Sequence, residues 1–333
     1  MNKVTKKRLL SVIDAMQEIP VLVAGDYMLD KYVWGRVDRV SPEAPVPVLA
    51  VDREEFRPGG AGNVAANIVA LGGCTYALGI VGNDTESGQL LISLQERRID
   101  VGGMILSDFR PTTTKCRLVA HHQQLVRMDH EKTIPANERE IEDIHSRLDL
   151  LFPKVKAVIL QDYNKGMLCE SVIRSLISRC SNGNIPVAVD PKLENFFRYQ
   201  GVTLFKPNEK EVERALGITV QNDDDLRVAG HRLQEQIKAD LLLITSGEHG
   251  MTLFIDKETV HYIPTRAQEV FDVSGAGDTV ISVMSLALVA GARPAEAAFL
   301  ANAAAGICVS KVGTQPVFRD ELVQEITHDE SLG

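Results

Sequence analysis

Along most of the chain, short apolar runs alternate with longer segments whose apolar residues recur at helical spacing. Val21-Leu22-Val23-Ala24-Gly25-Asp26 reads as a buried strand that delivers an acid to the edge of a sheet. Tyr76–Val81, Gly103–Leu106, Ala157–Leu160, Val187–Val189, Thr203–Phe205 and Leu241–Ile244 read as further strands, the last turning into Met251–Ile255. Between them, helices are predicted over Leu9–Ile19, from Asn63 to about Leu71, over Glu86–Arg97, from Asn137 to about Leu151, over Cys169–Ser181, and from Glu209 and Asp225. In Glu86–Arg97, for example, Leu90, Leu91 and Leu94 share one face. Buried strands alternating with amphipathic helices imply a three-layer α/β/α fold with a mostly parallel sheet, and ligands in such sheets bind beyond the carboxyl ends of the strands.

Two places depart from this rhythm. Tyr32–Val37 and Val46–Val51 alternate like exposed strands around Ser41–Pro47, where three prolines forbid a helix. Thr112–Ala120 and Gln123–Asp129 form a second polar hairpin with His121-His122 near its turn. With no third ligand at metal spacing, the two histidines read as a solvated tip. The expectation is a single domain over residues 1–333, with a small β lid built from about 27–56 and 110–130.

A net charge of −9 offers no general attraction to nucleic acid or anionic lipid, so a bound phosphate must be held by local groups. The five cysteines, Cys74, Cys116, Cys169, Cys180 and Cys308, are scattered and lack C-x-x-C spacing, which suggests reduced thiols in the cytoplasm. The basic start leads into an amphipathic helix rather than a signal peptide, and no run is apolar enough to span a membrane.

Asp272-Val273-Ser274-Gly275-Ala276-Gly277-Asp278-Thr279, followed by the apolar run Val280–Val289, places glycines between an expected short strand and a helix. Backbone N–H groups of Gly275, Ala276 and Gly277, reinforced by the helix dipole, would form an anion hole. A carboxylate beside a bound phosphate is unfavourable unless it has a proton to take, so Asp278 reads as a general base; the plainer reading is a glycine turn with a first-turn acid. Gly60-Ala61-Gly62-Asn63-Val64-Ala65 fits the dinucleotide fingerprint, with Asp84 at a ribose-contact distance. The polar stretch Asp52–Pro58 stands where the fingerprint requires a buried strand, which counts against a dehydrogenase. Gly59 and Gly60 instead suit close approach to a polyhydroxylated ligand, with Asn63 and Asp30 bonding adjacent hydroxyls. On a donor side, Asn208, Glu209, Lys210 and Glu211 begin a helix, and Glu211 could hold Mg2+ through water. Lys192 offers a phosphate cation, and Ser246, Gly247 and Gly250 could line a nucleotide. Each of these also has a plain use as a cap, a surface ion pair or a turn. No P-loop motif occurs.

Taken together, these residues resemble the ribokinase-type (PfkB) sugar kinase family. Its two signatures correspond to Gly59–Asn67 and Asp272–Asp278, its N-x-x-E motif to Asn208–Glu211, and its nucleotide loop to Thr245–Gly250. The resemblance runs from Val21 to about Gln315. It implies a ribokinase-like fold, ATP and Mg2+ as cofactors, Asn302 among the nucleotide contacts, and a sugar ligand; it leaves a monovalent-cation requirement open. More narrowly, Arg39–Val48, Gln123–Asp129 and Asp162–Gly166 look like the D-glycero-β-D-manno-heptose 7-phosphate kinases of ADP-heptose (lipopolysaccharide core) biosynthesis, which are the kinase halves of bifunctional proteins. This implies phosphorylation of O1 to the 1,7-bisphosphate, and the missing H-x-G-H motif leads to the expectation of a kinase alone. The substrate phosphate would then be held by cations among Arg39, Arg57, Lys115, Arg117, Arg127 and Lys165, with Lys115, Arg117 and Lys165 the first choices. Bare lid edges suggest a homodimer. The rival readings are a kinase of another sugar or sugar phosphate, such as fructose phosphate, and a non-catalytic sugar-phosphate sensor.

Overall fold

The computed structural model of the chain describes residues 4–121, 123–267, 270–330 and 332. Helix α1 (Lys6–Ala15) precedes β1 (Pro20–Gly25), and only Asp26 separates β1 from the long strand β2 (Tyr27–Val40). Strand β3 (Pro47–Gly60) returns along β2 and runs directly into α2 (Ala61–Ala70). Next come β4 (Cys74–Gly82), α3 (Thr85–Glu96), β5 (Asp100–Ser107), β6 (Thr114–Ala120), β7 (Gln123–His130) and α4 (Glu138–Leu151). The second half contains β8 (Ala157–Gln161), α5 (Glu170–Gly183), β9 (Val187–Asp190), β10 (Leu204–Phe205), α6 (Glu209–Leu216) and α7 (Asp223–Ile237). It closes with β11 (Leu241–Thr245), β12 (Met251–Phe254), β13 (Val260–Ile263), α8 (Ala276–Val289), α9 (Pro294–Val309) and α10 (Arg319–His328).

The main sheet has nine strands in the order β13-β12-β11-β10-β9-β8-β1-β4-β5. Its seven strands from β11 to β5 are parallel, and β12 and β13 extend it as antiparallel edge strands. Strand side chains alternate between faces, and two cores result. Val21 and Val23 of β1, with Leu241 and Leu243 of β11, pack with α1, α2, α8, α9 and α10. Leu22 and Ala24, with Leu242 and Ile244, pack on the other face with α4, α5 and α7. Helix α8 is buried from Asp278 to Ala287, as an all-round apolar helix must be.

The second sheet, in the order β3-β2-β6-β7, is built from the two segments expected to form a lid. Its strands exceed expectation: β2 and β3 are 14 residues each and pair from Val40–Pro47 down to Tyr27–Gly60, so the three prolines sit in or beside the turn. The short strand expected before Asp278 is absent. That stretch is irregular and is tied by the N–H groups of Phe271 and Asp272 donating to the Val309 carbonyl. His121 occupies a left-handed turn position (φ 49°), and His122 lies outside the described residues. Among the described residues no helix is long and apolar enough to cross a membrane, no cluster of three metal-ligating side chains occurs, and all five cysteines are free thiols.

Two helical glycines make opposite predictions. A Cβ on Gly230 of α7 would stand 2.1 Å from Phe254 Cζ, a ring fully buried under that helix, whereas one on Gly88 of α3 would meet nothing within 4 Å. Thermal or urea unfolding should therefore show Gly88→Ala gaining about 0.5–1 kcal/mol. Gly230→Ala should lose about 1–3 kcal/mol through overpacking despite the same propensity gain. Equal shifts in the two variants would contradict the close packing of α7 on β12.

Candidate active site

The parallel strands end at one edge, and the polar residues that follow them converge there. Asp278, in the first turn of α8, is 5% exposed and receives three hydrogen bonds from two distant parts of the chain. Asn63 Nδ2, in α2, donates to Oδ2 at 2.8 Å; Gln161 Nε2, at the end of β8, donates to Oδ1 at 2.9 Å; and the Tyr163 hydroxyl donates to Oδ1 at 3.0 Å. Burial pushes the Asp278 carboxyl up to about 6, against hydrogen bonds from Asn63 and Tyr163 and the charge of Lys206, while Asp190 adds to the rise. The group is thus mainly ionised at neutral pH yet a better proton acceptor than an ordinary aspartate.

Asp26 fastens the pieces that hold Asp278. Its Oδ2 accepts the N–H of Tyr163 (2.8 Å) and of Lys165 (2.9 Å), its own N–H donates to the Gln161 carbonyl, and its carbonyl accepts the Ala61 N–H at the start of α2. Burial also raises Asp26 to about 6, helped by nearby Asp162, whose carboxylate is itself satisfied by the Tyr199 hydroxyl and Asn195.

Gly275 sits at φ 85°, in the left-handed region, and a Cβ there would stand 2.8 Å from Asn63 Nδ2. Glycine at this position therefore lets α8 start against the side chain that holds Asp278. The first-turn N–H groups of α8 have no intrahelical acceptors. One of the three predicted anion-hole donors is engaged: the Ala276 N–H closes a turn onto the Val273 carbonyl at 3.3 Å. On one side of this loop lies a cleft of about 850 Å3. Lys192, Asn208, Glu209, Lys210, Ser246, Gly247, Gly250 and Asn302 all line it, together with Gly275–Asp278. Glu211 is not in the cleft wall; its Oε2 accepts the Asn208 N–H (2.8 Å) in a capping box, and its Oε1 pairs with Lys192. Burial would lower the Lys192 ammonium, but Asp190 and Glu211 outweigh it and hold it above the ordinary lysine value.

On the lid side the assignments shift. Asp30 is buried in an ion pair with Arg117, whose guanidinium lies over the Tyr32 ring, as does that of Arg57. A Cβ on Gly59 would stand 2.4 Å from Asp30 Oδ2, and one on Gly60 (φ 57°) 2.5 Å from the Asp26 carbonyl oxygen. The close approaches these glycines permit are thus to β2 of the same lid. Asn63 spends one of its two amide N–H donors on Asp278. Lys115 lies over the Tyr163 ring at 5.5 Å and has no carboxylate within 4 Å among the described residues; burial holds its ammonium below the ordinary value. Lys165 reaches away to Glu131 at 2.8 Å, Arg127 pairs with Asp129, and Arg39 is exposed.

The sequence reading gave no role to Gln161, Tyr163, Asp190 or Lys206. Asp190 accepts from Gln161 Nε2 (3.2 Å) and pairs with Lys206 (3.0 Å). The available signal was position: each stands at or just beyond the carboxyl end of β8, β9 or β10.

Residues 21–320 match the family model described as pfkB family carbohydrate kinase, and the chain belongs to that family. It is 44% identical over 318 residues to a bifunctional protein HldE of Geobacter metallireducens, matching 96% of this chain and 65% of that protein. The HldE of Aliivibrio salmonicida is 44% identical over 316 residues, covering 94% and 64% respectively. The chain thus spans about two-thirds, or slightly less, of the length of these relatives. In fold it is similar to Arabidopsis thaliana ribokinase complexed with ribose and ATP (TM-score 0.72, 20% identity, 94% of this chain and 100% of that one). Escherichia coli phosphofructokinase-2 in complex with fructose-6-phosphate is similar too (TM-score 0.75, 20% identity, 94% and 99%).

The Asp278 environment predicts a titration. Its carboxyl carbon, assigned by loss of the signal in Asp278→Asn, should titrate near pH 6 by carbon-13 NMR. Because the Asn63 bond stabilises the charged form, Asn63→Ala should move that midpoint upward. A midpoint in the ordinary aspartate range would contradict the burial of the carboxyl, and absence of the upward movement would contradict its hydrogen bond from Asn63.

Proposed function

We propose that the chain is an ATP-dependent kinase that phosphorylates O1 of D-glycero-β-D-manno-heptose 7-phosphate, giving the 1,7-bisphosphate used in ADP-heptose formation. The observation that carries the reading is a buried carboxylate, Asp278, held by three hydrogen-bond donors at a helix N-terminus between the small sheet and an 850 Å3 cleft. Support for the sugar comes from the HldE relatives, which match 96% of this chain, and from the motif likeness at Arg39–Val48, Gln123–Asp129 and Asp162–Gly166. A fructose phosphate remains the second reading, favoured by the fold it shares with phosphofructokinase-2. A sensor without turnover has no use for a base raised to about 6.

In this reading the nucleotide lies in the cleft along Asn208–Lys210, Ser246, Gly247, Gly250 and Asn302, with its γ-phosphoryl at the N-terminus of α8. Asp278 takes the proton of the sugar hydroxyl as that oxygen attacks phosphorus, and first-turn N–H groups hold the spreading charge. Of Glu211, Oε2 is taken by its own helix cap, so Oε1, now shared with Lys192, is the oxygen that would hold Mg2+ through water. Mg2+ supplies charge neutralisation on the donor phosphates. Lys115, unpaired within 4 Å and beside Tyr163, and Arg117 are the cations for the phosphate of the sugar. Lys165, turned toward Glu131, is the weaker choice of the three.

The lid presents Val40, Val51, Val126 and Met128 to solvent, and β3 and β7 are its bare edges. Pairing of two lids would cover both, giving a homodimer.

An ATP-coupled assay over a panel of sugar phosphates should show the heptose 7-phosphate as the preferred acceptor. Preference for a fructose phosphate would select the second reading, and no turnover would reject both. Asp278→Asn should lower kcat by about 10²- to 10⁴-fold while ATP affinity changes little. Near-wild-type turnover in that variant would remove Asp278 from the role. Light scattering should give twice the chain mass, and a monomer would reject lid pairing.

A further inference from the structure

Lys206 follows β10 and is 3% exposed, yet it is among the residues that line the cleft. Burying an ammonium is unfavourable unless its donors are met. Among the described residues its one carboxylate within 4 Å is Asp190, at 3.0 Å. An ammonium has three N–H donors, so two are left without a carboxylate partner among the described residues. Gly277 lies beside the pair: a Cβ built there would lie 3.4 Å from Lys206 Nζ and 3.9 Å from Asp190 Oδ2. The buried cation therefore stands against the same glycine loop whose N–H groups open the α8 N-terminus.

We propose that Lys206 is a further catalytic residue, whose ammonium contacts the transferring phosphoryl group while Asp190 and Gln161 hold it in fixed relation to Asp278. The inference rests on the kinase reading above and adds a residue to it. Asp190 Oδ2 pairs with Lys206 and accepts from Gln161 Nε2 at 3.2 Å, and the same Nε2 donates to Asp278 Oδ1 at 2.9 Å. Base and cation are thus joined through one amide. In the step itself a bond forms between the sugar oxygen and Pγ, and the bond from Pγ to the ADP oxygen breaks. The hydroxyl proton goes to Asp278, and Lys206 keeps its three protons throughout. As charge spreads over the equatorial oxygens of the phosphoryl group, the two unfilled N–H donors become paired. This is stabilisation gained in the transition state and not in the ground state.

The test is steady-state kinetics of Lys206→Met and Lys206→Arg with the preferred sugar phosphate, alongside ADP binding by calorimetry. Lys206→Met should lose about 10²- to 10³-fold in kcat, the usual effect of removing one transition-state donor. ADP affinity should stay within about threefold, since the contact is to the phosphoryl group alone. Lys206→Arg, which keeps charge and donors, should recover part of the rate; a purely structural role predicts loss of ADP binding and kcat together. Should Lys206→Met fail to fold because Asp190 is left buried with only Lys192, at 3.8 Å, and Gln161 as partners, the double variant Lys206→Met/Asp190→Asn removes both charges and should fold, with the same loss of kcat. A folded variant turning over within about threefold of wild type would overturn the role of Lys206 alone. Absence of turnover in the wild type would instead reject the kinase reading, and this inference with it.

Discussion

A buried carboxylate has to be kept charged, and in one orientation, by the rest of the protein. Asp278 is that constraint here. Its three donors lie 215, 117 and 115 residues away in sequence, so its geometry exists only when α2, β8 and α8 have all reached the same sheet edge. Each donor lowers the free energy of the charged form, and burial raises it by more. The outcome is a group whose charge is disfavoured in the fold compared with the unfolded chain. The same holds for Asp26. For both, the folded pKa lies above the unfolded one, so the destabilising contribution is present in full above about pH 6 and fades as pH falls toward 4. Stability is thus given up at neutral pH where the reaction would need a base.

The second constraint is where cations are allowed. The chain carries a net charge of −9, and in the site itself Asp278, Asp190 and Glu211 gather beside Lys192 and Lys206. Carboxylates and ammonium groups interleave rather than segregate. Such a cluster would admit an anionic ligand without giving up its own pairs: Lys192 and Lys206 each already have a carboxylate partner, and phosphate oxygens would meet the ammonium donors that those carboxylates leave open.

Periodicity was enough to read the sandwich and its parallel order, because strands such as β1 and β11 bury both faces and helices such as α4 keep one apolar stripe. It failed where pattern and burial part company. Helix α9, rich in alanine and buried over most of its surface, has no polar face to set a period, and β13 is a four-residue edge strand. Motif spacing identified the cleft lining well, since those residues are local in sequence, from Asn208 to Lys210 and from Ser246 to Gly250. What Asn63, Gly59 and Glu211 touch was not readable. Those contacts are made across the fold or within a cap, and a motif names a residue without naming its partner.

The lid has no linker. One residue, Asp26, separates β1 from β2, and β3 passes into α2 without a break. Both lid strands are therefore continuous with the segments that hold Asp278: Asp26 bonds the Tyr163 loop, and α2 carries Asn63. A displacement of these strands would therefore bear on the hydrogen bonds of Asp278. If a ligand on the small sheet reshaped those bonds, linkage would require the protonation of Asp278 to alter affinity there by the same free energy.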